Sequence, residues 1–263
     1  MTPSGPASDD ALIAAVAAAG WRLPPWLPPM LSPYERDFMW IEMTGQRTRD
    51  YYARRLQMIG FAGGERVLDA ACGIGQWSLA LAENYRHVEG VDINPGRLLV
   101  ARALAAEQGR STCTFAYAPL EQLPQADGSF DAIFCYGAFM FTDMPRTLRE
   151  FRRVLKPGGR VYLNANSTGW YAHLLIDRGL KKRSLSMVRS ALTMIRRTLW
   201  GHTSQIVVRE RWLVRELQRA GLRVHALGAE GTLQLTPGVV PVPAAYPPKY
   251  YGRTSILELV AER

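Results

Sequence analysis

The chain has 263 residues, of which 48% are hydrophobic and 21% charged, and carries a formal net charge of +9 at pH 7. Such a make-up suits a soluble protein with one large α/β domain, or one domain with an elaborated cap, and no stretch approaches the roughly 20 unbroken apolar residues of a membrane-spanning helix. Three cysteines (Cys72, Cys113, Cys135) are an odd number without zinc-site spacing, and no set of carboxylates suggests a metal; reduced thiols in a cytosolic protein are the expectation.

Residues 1–8 read as disordered. Asp9 and Asp10 then precede the apolar run Ala11–Ala19, which predicts an N-capped helix closed by Gly20 and not a secretory signal, since no basic segment comes before it. Leu23-Pro-Pro-Trp-Leu-Pro-Pro29 predicts an extended arm, and residues 34–59 combine helical spacing with many aromatics (Tyr34, Phe38, Trp40, Tyr51, Tyr52).

Next comes Val67-Leu68-Asp69-Ala70-Ala71-Cys72-Gly73-Ile74-Gly75 and, after a predicted helix, Val91-Asp92. An apolar run, a glycine turn, a helix and a second apolar run ending in Asp describe a βαβ unit of the nucleotide-binding kind. Gly73 and Gly75 let a ligand approach the backbone, and Asp92 ends the second strand where a ribose diol could donate to it. A dinucleotide fingerprint needs a third glycine where Ser78 stands, so an adenosyl ligand without a pyrophosphate fits better than NAD.

The alternation continues. Strands are predicted at Arg66–Ala70, Val88–Asp92, Thr112–Tyr117, Ala132–Tyr136 and Arg160–Asn164, with helices at Trp77–Asn84, Pro95–Gln108 and Asp143–Leu155. This order implies a parallel sheet with right-handed crossovers. A helix at Arg209–Ala220, a strand at Arg223–Leu227, a Pro-rich loop over Thr236–Tyr251 and a last strand at Ser255–Val260 follow.

Asp69-Ala-Ala-Cys72-Gly73-Ile-Gly75 resembles the D-x-x-C-G-x-G motif of class I S-adenosylmethionine-dependent methyltransferases, in a form like the type 11 small-molecule members. Leu123-Pro124, Gly128-Ser-Phe-Asp-Ala-Ile-Phe134 and Leu148-Arg-Glu-Phe-Arg-Arg-Val-Leu-Lys-Pro-Gly-Gly159 resemble that family's later motifs, in order. The resemblance covers about residues 45–165. It implies a doubly wound, mostly parallel, seven-stranded Rossmann-like sheet and S-adenosylmethionine as cofactor, with S-adenosylhomocysteine as product. Helices before the first strand would close over the cofactor or, equally, pack on the sheet edge.

The resemblance also implies cofactor contacts from Asp69, Ala71, Gly73, Gly75, Gln76 and Trp77 at the first turn, and from Asp92, Ile93 and Asn94 after the second strand. Pro119, Leu120, Glu121, Cys135 and Tyr136 would contribute from later strand ends. Asp69 would orient the turn and the ammonium group, Asp92 would hold both ribose hydroxyls, and Ile93 would lie against adenine. The family often has Asp where Pro119 stands, so adenine recognition would fall to the Leu120 backbone or the Glu121 side chain.

The departure from a minimal domain is residues 166–206. Leu185, Val188, Leu192, Ile195 and Leu199 form one helical stripe there, with Arg189, Arg196 and Arg197 off it. Either the apolar face closes over a substrate pocket, or the basic face meets an anionic membrane or a lipid-linked substrate. From Arg178 to Arg223, twelve Lys or Arg oppose only Glu210 and Glu216, so the basicity is regional. No RNA module is recognisable, which leaves nucleic acid disfavoured as a partner. Cys135-Tyr-Gly-Ala138 stands where an N-methyltransferase signature of Asn/Asp-Pro-Pro-Tyr type would be.

Four parts follow: residues 1–60, an arm and cofactor-covering helices; 61–165, the cofactor-binding core; 166–206, a helical basic cap; and 207–263, the C-terminal part of the sheet. His173 and Tyr136 are the candidate catalytic groups, His202 is a second candidate base, and Asn164 and Asn166 are candidates to orient an acceptor. His87 and His225 read as structural. The expectation is a cytoplasmic enzyme, free or peripheral to the inner membrane face, that O-methylates a small acceptor by in-line transfer. A sugar, a surface-glycan precursor and a secondary metabolite all remain open as that acceptor. N- or C-methylation of a small molecule is one alternative, and a non-catalytic binding subunit of this fold is another. Acceptor identity and oligomeric state stay open.

Overall fold

The computed structural model describes residues 8–200, 207–244 and 246–263. Its backbone contacts divide the chain into two compact units, Met1–Pro119 with Thr236–Val242, and Leu120–Leu235 with Pro243–Arg263. The division falls inside the stretch 61–165 that the sequence presents as one core.

In the first unit, α1 (Asp9–Ala18) is capped by Ser8, whose hydroxyl accepts from the Ala11 N–H at 3.2 Å. The Pro-rich arm is not simply extended. Trp21, Leu23 and Leu27 are buried, and Pro28–Met30 makes a 3-10 turn, because fixed proline φ angles suit a tight turn as well as an extended chain. The aromatic segment divides into α2 (Pro33–Met43), which opens with a capping box between Ser32 and Glu35, and α3 (Arg49–Met58), capped by Thr48. The core follows as β1 (Gly64–Ala70), α4 (Gln76–Leu81), β2 (Tyr85–Asp92), α5 (Pro95–Glu107) and β3 (Cys113–Tyr117). β2 pairs in parallel with both β1 and β3.

In the second unit, β4 (Phe130–Cys135) leads through α6 (Met144–Val154) to β5 (Leu155–Asn166), its parallel neighbour. α9 (Glu210–Arg219), β6 (Arg223–Ala229) and β9 (Ile256–Glu262) complete the layer, with β9 antiparallel to both β5 and β6. The seven strands belong to one mostly parallel sheet with flanking helices, so the expected Rossmann-like class is borne out.

Two features differ from expectation. The loop expected over Thr236–Tyr251 ends in a hairpin of β7 (Lys249–Tyr250) and β8 (Arg253–Thr254). Its two turn residues, Tyr251 and Gly252, both have positive φ (52° and 73°), a twist that matches the strands but lacks the usual Asn-Gly signal.

The cap, expected as one helical stripe, comprises α7 (Thr168–His173), a π-helical segment (Leu174–Leu180) and α8 (Leu185–Leu199). The stripe splits. Ala191 is fully buried, and Val188 lies so close to Gly179 that a Cβ there would sit 2.8 Å from Val188 Cγ2. Leu185 and Leu192 instead are 80% and 51% exposed. A periodic stripe about 100° wide can roll, and here the packed line runs through Val188, Ala191 and Ile195.

Candidate active site

In the first unit the carboxyl ends of β1 and β2 meet at the glycine turn. Gly73 (φ 57°) and Gly75 (φ 84°) take left-handed conformations there, and so does Ala71 at φ 64°. For a residue with a Cβ that conformation costs roughly 1–2 kcal/mol, which marks the turn as a place where shape outweighs local preference. At Gly75 any Cβ would also press on Ala101, 3.1 Å from its Cβ.

Asp92 ties the turn to the second strand. Its Oδ2 accepts from the Gly73 N–H at 2.9 Å and its Oδ1 from the Asn94 N–H at 2.8 Å. Asn94 in turn caps α5 by accepting from the Arg97 N–H. Each Asp92 oxygen keeps a further lone pair. Ile93, the next residue, is 64% exposed and offers an apolar surface beside that carboxylate.

Asp69 is buried and accepts from Ser78 Oγ at 2.5 Å. Burial pushes its carboxyl up to about 7, against the pull of the Ser78 hydrogen bond, and the charge of Asp92 adds to the rise.

The helices before β1 do reach this turn. Phe38 of α2 is the nearest side chain to a Cβ built on Gly73, at 3.9 Å. Glu42 of α2 is buried, pairs with Arg47 at 2.6 Å, and accepts from the Tyr52 hydroxyl at 3.0 Å. Gln76 Nε2 lies 3.5 Å from the same carboxylate, while Gln76 Oε1 is buried with no hydrogen-bond partner among the described residues. Trp77 packs edge-on to Tyr52, with ring centroids 4.5 Å apart. The Glu42–Arg47–Tyr52 group escapes sequence reasoning. Its signal is a pair of charges set among regularly spaced aromatics.

The second unit holds the remaining candidates. Pro119 ends the longer segment of the first unit, and Leu120, which follows it, is buried. Glu121 Oε1 accepts from the Asp143 N–H at 2.8 Å, so part of that carboxylate already anchors the start of α6. Cys135 is fully buried, while Tyr136 is half-buried with its ring parallel to Phe134. Asn164 accepts from the Gly137 N–H at 2.6 Å and donates to Glu230 Oε1 at 3.3 Å, and Asn166 hydrogen-bonds Tyr171.

His173 is stacked on Tyr250 at 4.2 Å, with Nδ1 2.8 Å from Asp177 Oδ2. Lys181 Nζ and the Tyr251 hydroxyl both donate to Asp177 Oδ1, at 2.7 and 2.6 Å. These hydrogen bonds hold the Asp177 carboxyl well below the usual range. Orienting Nδ1 toward a carboxylate leaves Nε2 as the nitrogen able to take a proton. His202 lies outside the described residues.

Thr168, Tyr171, Ala172, Leu175, Ile176, Ile195 and Val207, among others, line a cavity of about 330 Å³ whose walls are largely apolar. His173 is not one of its lining residues.

Residues 67–159 match the family model described as a methyltransferase domain. A demethylmenaquinone methyltransferase of Bacillus velezensis is 31% identical over 120 residues, which is 44% of this chain and 52% of that one. A malonyl-[acyl-carrier protein] O-methyltransferase of Serratia marcescens is 28% identical over 215 residues, 76% of this chain and 80% of that one. The chain spans about half or less of the length of the curated relatives that match first. Among solved structures, a geranyl diphosphate methyltransferase in complex with S-adenosylmethionine superposes with a TM-score of 0.58 at 17% identity, covering 95% of this chain and 94% of that one.

Proposed function

We propose that this chain, a class I S-adenosylmethionine-dependent methyltransferase by its domain and fold, transfers a methyl group in line to an oxygen of a small acceptor. The observation that carries the reading is the Asp92 carboxylate, which braces the glycine turn through Gly73 and Asn94 and keeps lone pairs for a ribose diol. The unpartnered Gln76 Oε1 beside the turn suits an ammonium group, and exposed Ile93 suits an adenine face. S-adenosylmethionine, when bound, supplies an electrophilic methyl on a sulfonium. The protein's own contribution is then alignment, exclusion of water and removal of the acceptor proton. In this reading Asp177 orients His173, and Nε2 of His173 takes that proton, with Tyr136 a second candidate on the acceptor side. Titration calorimetry tests the premise: a folded protein that binds neither S-adenosylmethionine nor S-adenosylhomocysteine is a binding subunit of another kind, and the proposal fails.

Asp69 makes the affinity depend on pH. Its folded carboxyl titrates near 7 because burial raises it, so the stability it contributes is full below the unfolded value near 4 and is lost as pH rises through about 7. A cationic group bound at the turn favours the ionised carboxylate. Affinity for S-adenosylhomocysteine is therefore expected to rise between about pH 6 and about pH 7.5, with proton release visible in buffers of different ionisation enthalpy. Asp69→Asn should flatten that dependence. A wild-type profile already flat would show that Asp69 does not sense the ligand.

The cavity of the second unit, which His173 does not line, would take the apolar body of the acceptor and not its reacting oxygen, and favours such a body over a bare sugar, since its walls are mostly side-chain carbon. Ile195→Trp, which fills it, is expected to raise the acceptor KM about tenfold through lost apolar contact while leaving cofactor affinity unchanged. Steady-state kinetics with an unchanged acceptor KM would remove the cavity from the acceptor site.

A further inference from the structure

We propose that the outward face of α8 docks on an anionic lipid bilayer. This goes beyond methyl transfer and does not depend on it. At 100° per residue, Leu185, Arg189, Leu192 and Arg196 fall within a strip about 60° wide, centred about 100° around α8 from the packed line of Val188, Ala191 and Ile195. Leu185 is 80% exposed, Leu192 51% and Trp200, just past the helix end, 66%. Leu180, before the helix, is exposed as well.

These apolar groups are interleaved with cations. Arg178, Lys182, Arg183, Arg189, Arg196 and Arg197 lie between residues 178 and 197, where Lys181 is paired with Asp177, and no Asp or Glu occurs from 178 to 209. The Arg196 guanidinium sits 4.8 Å from the centre of the Trp200 ring, a pairing suited to the boundary between water and acyl chains.

Charge decides the occupant. A second copy would bring the same cations against one another, and a polyanion such as nucleic acid has no use for exposed leucines. An anionic bilayer accepts both features, with leucine and tryptophan entering below the headgroups and arginines on the phosphates. Among the described residues no helix is long and apolar enough to cross a membrane, so the contact is one of lying on the surface.

Sedimentation of the full chain with phosphatidylcholine vesicles, with and without phosphatidylglycerol, tests this. The protein should pellet only with the anionic vesicles, and added salt should release it. Arg189→Gln with Arg196→Gln should weaken partitioning about thirty-fold, the loss of two surface cations. Leu185→Ser with Leu192→Ser should lower it further, at unchanged melting temperature because both side chains already face solvent. Arg22→Gln with Arg160→Gln, an equal charge change elsewhere on the exposed surface, should have little effect. Equal binding to both vesicle types, a flat salt response, or an effect of the Arg22/Arg160 pair as large as that of Arg189/Arg196 would overturn the proposal. A dimer in analytical ultracentrifugation that the Leu185/Leu192 variant dissolves would also overturn it, in favour of a second copy.

Discussion

Asp92→Ala is expected to weaken S-adenosylmethionine binding by about 2–4 kcal/mol, roughly thirty-fold to a thousand-fold, in titration calorimetry. Two losses add. In the proposed site two charge-assisted hydrogen bonds to the ribose hydroxyls would disappear, and the Gly73 and Asn94 N–H groups lose the acceptor that shapes the turn. Asp92 is only 5% exposed, so water replaces that acceptor poorly. Asp92→Asn keeps the shape and one acceptor oxygen, so its loss should be smaller but clear. The melting temperature of each variant without ligand separates damage to the turn from loss of ligand contacts. A folded Ala variant with wild-type affinity would put the ribose elsewhere.

Glu258→Ala should cost about 3–5 kcal/mol of stability, since it leaves three donors unsatisfied at roughly 1–2 kcal/mol each. Glu258 sits in β9 at 0% exposure. Its Oε1 accepts from the Gly231 and Leu233 N–H groups at 2.9 and 3.0 Å, and its Oε2 from the Tyr162 hydroxyl at 3.1 Å. The carboxylate therefore pins the segment after β6 to the sheet and satisfies a buried tyrosine of β5. Thermal unfolding by circular dichroism should fall by several degrees for each kcal/mol lost. Glu258→Gln, which keeps an acceptor for both N–H groups, should lose far less. An Ala variant melting within a few degrees of wild type would mean that water satisfies these donors.

The legible parts of the site are those whose residues are neighbours in the chain. Asp69, Gly73, Gly75 and Asp92 lie in one βαβ unit, and a glycine turn between apolar runs states its geometry locally. The sequence assigns the orienting of that turn to Asp69, whereas in the structure Asp92 accepts from the Gly73 N–H and Asp69 accepts from Ser78. Glu42, Arg47 and Tyr52 went unread because their meeting with Gln76 depends on how α2 and α3 pack, and sequence spacing carries no record of that.

The same limit explains the other departures. In α8 the period of the apolar residues correctly marked a helix but not which side of the stripe turns inward. The tight contact of Val188 on Gly179 decided that. The β7–β8 hairpin hides in a Pro-rich run because its turn is Tyr-Gly, and Glu258 reads as a stray charge in an apolar strand until three donors converge on it.

What the sequence alone determined is the order of strands and helices and the place of the glycine turn, since both rest on hydrophobic period and on residues that can adopt positive φ. Only the tertiary structure decided which charges are buried and paired, which face of the basic helix meets solvent, and how His173 is held by Asp177. Those outcomes depend on desolvation and packing between segments far apart in the chain, where no local preference acts.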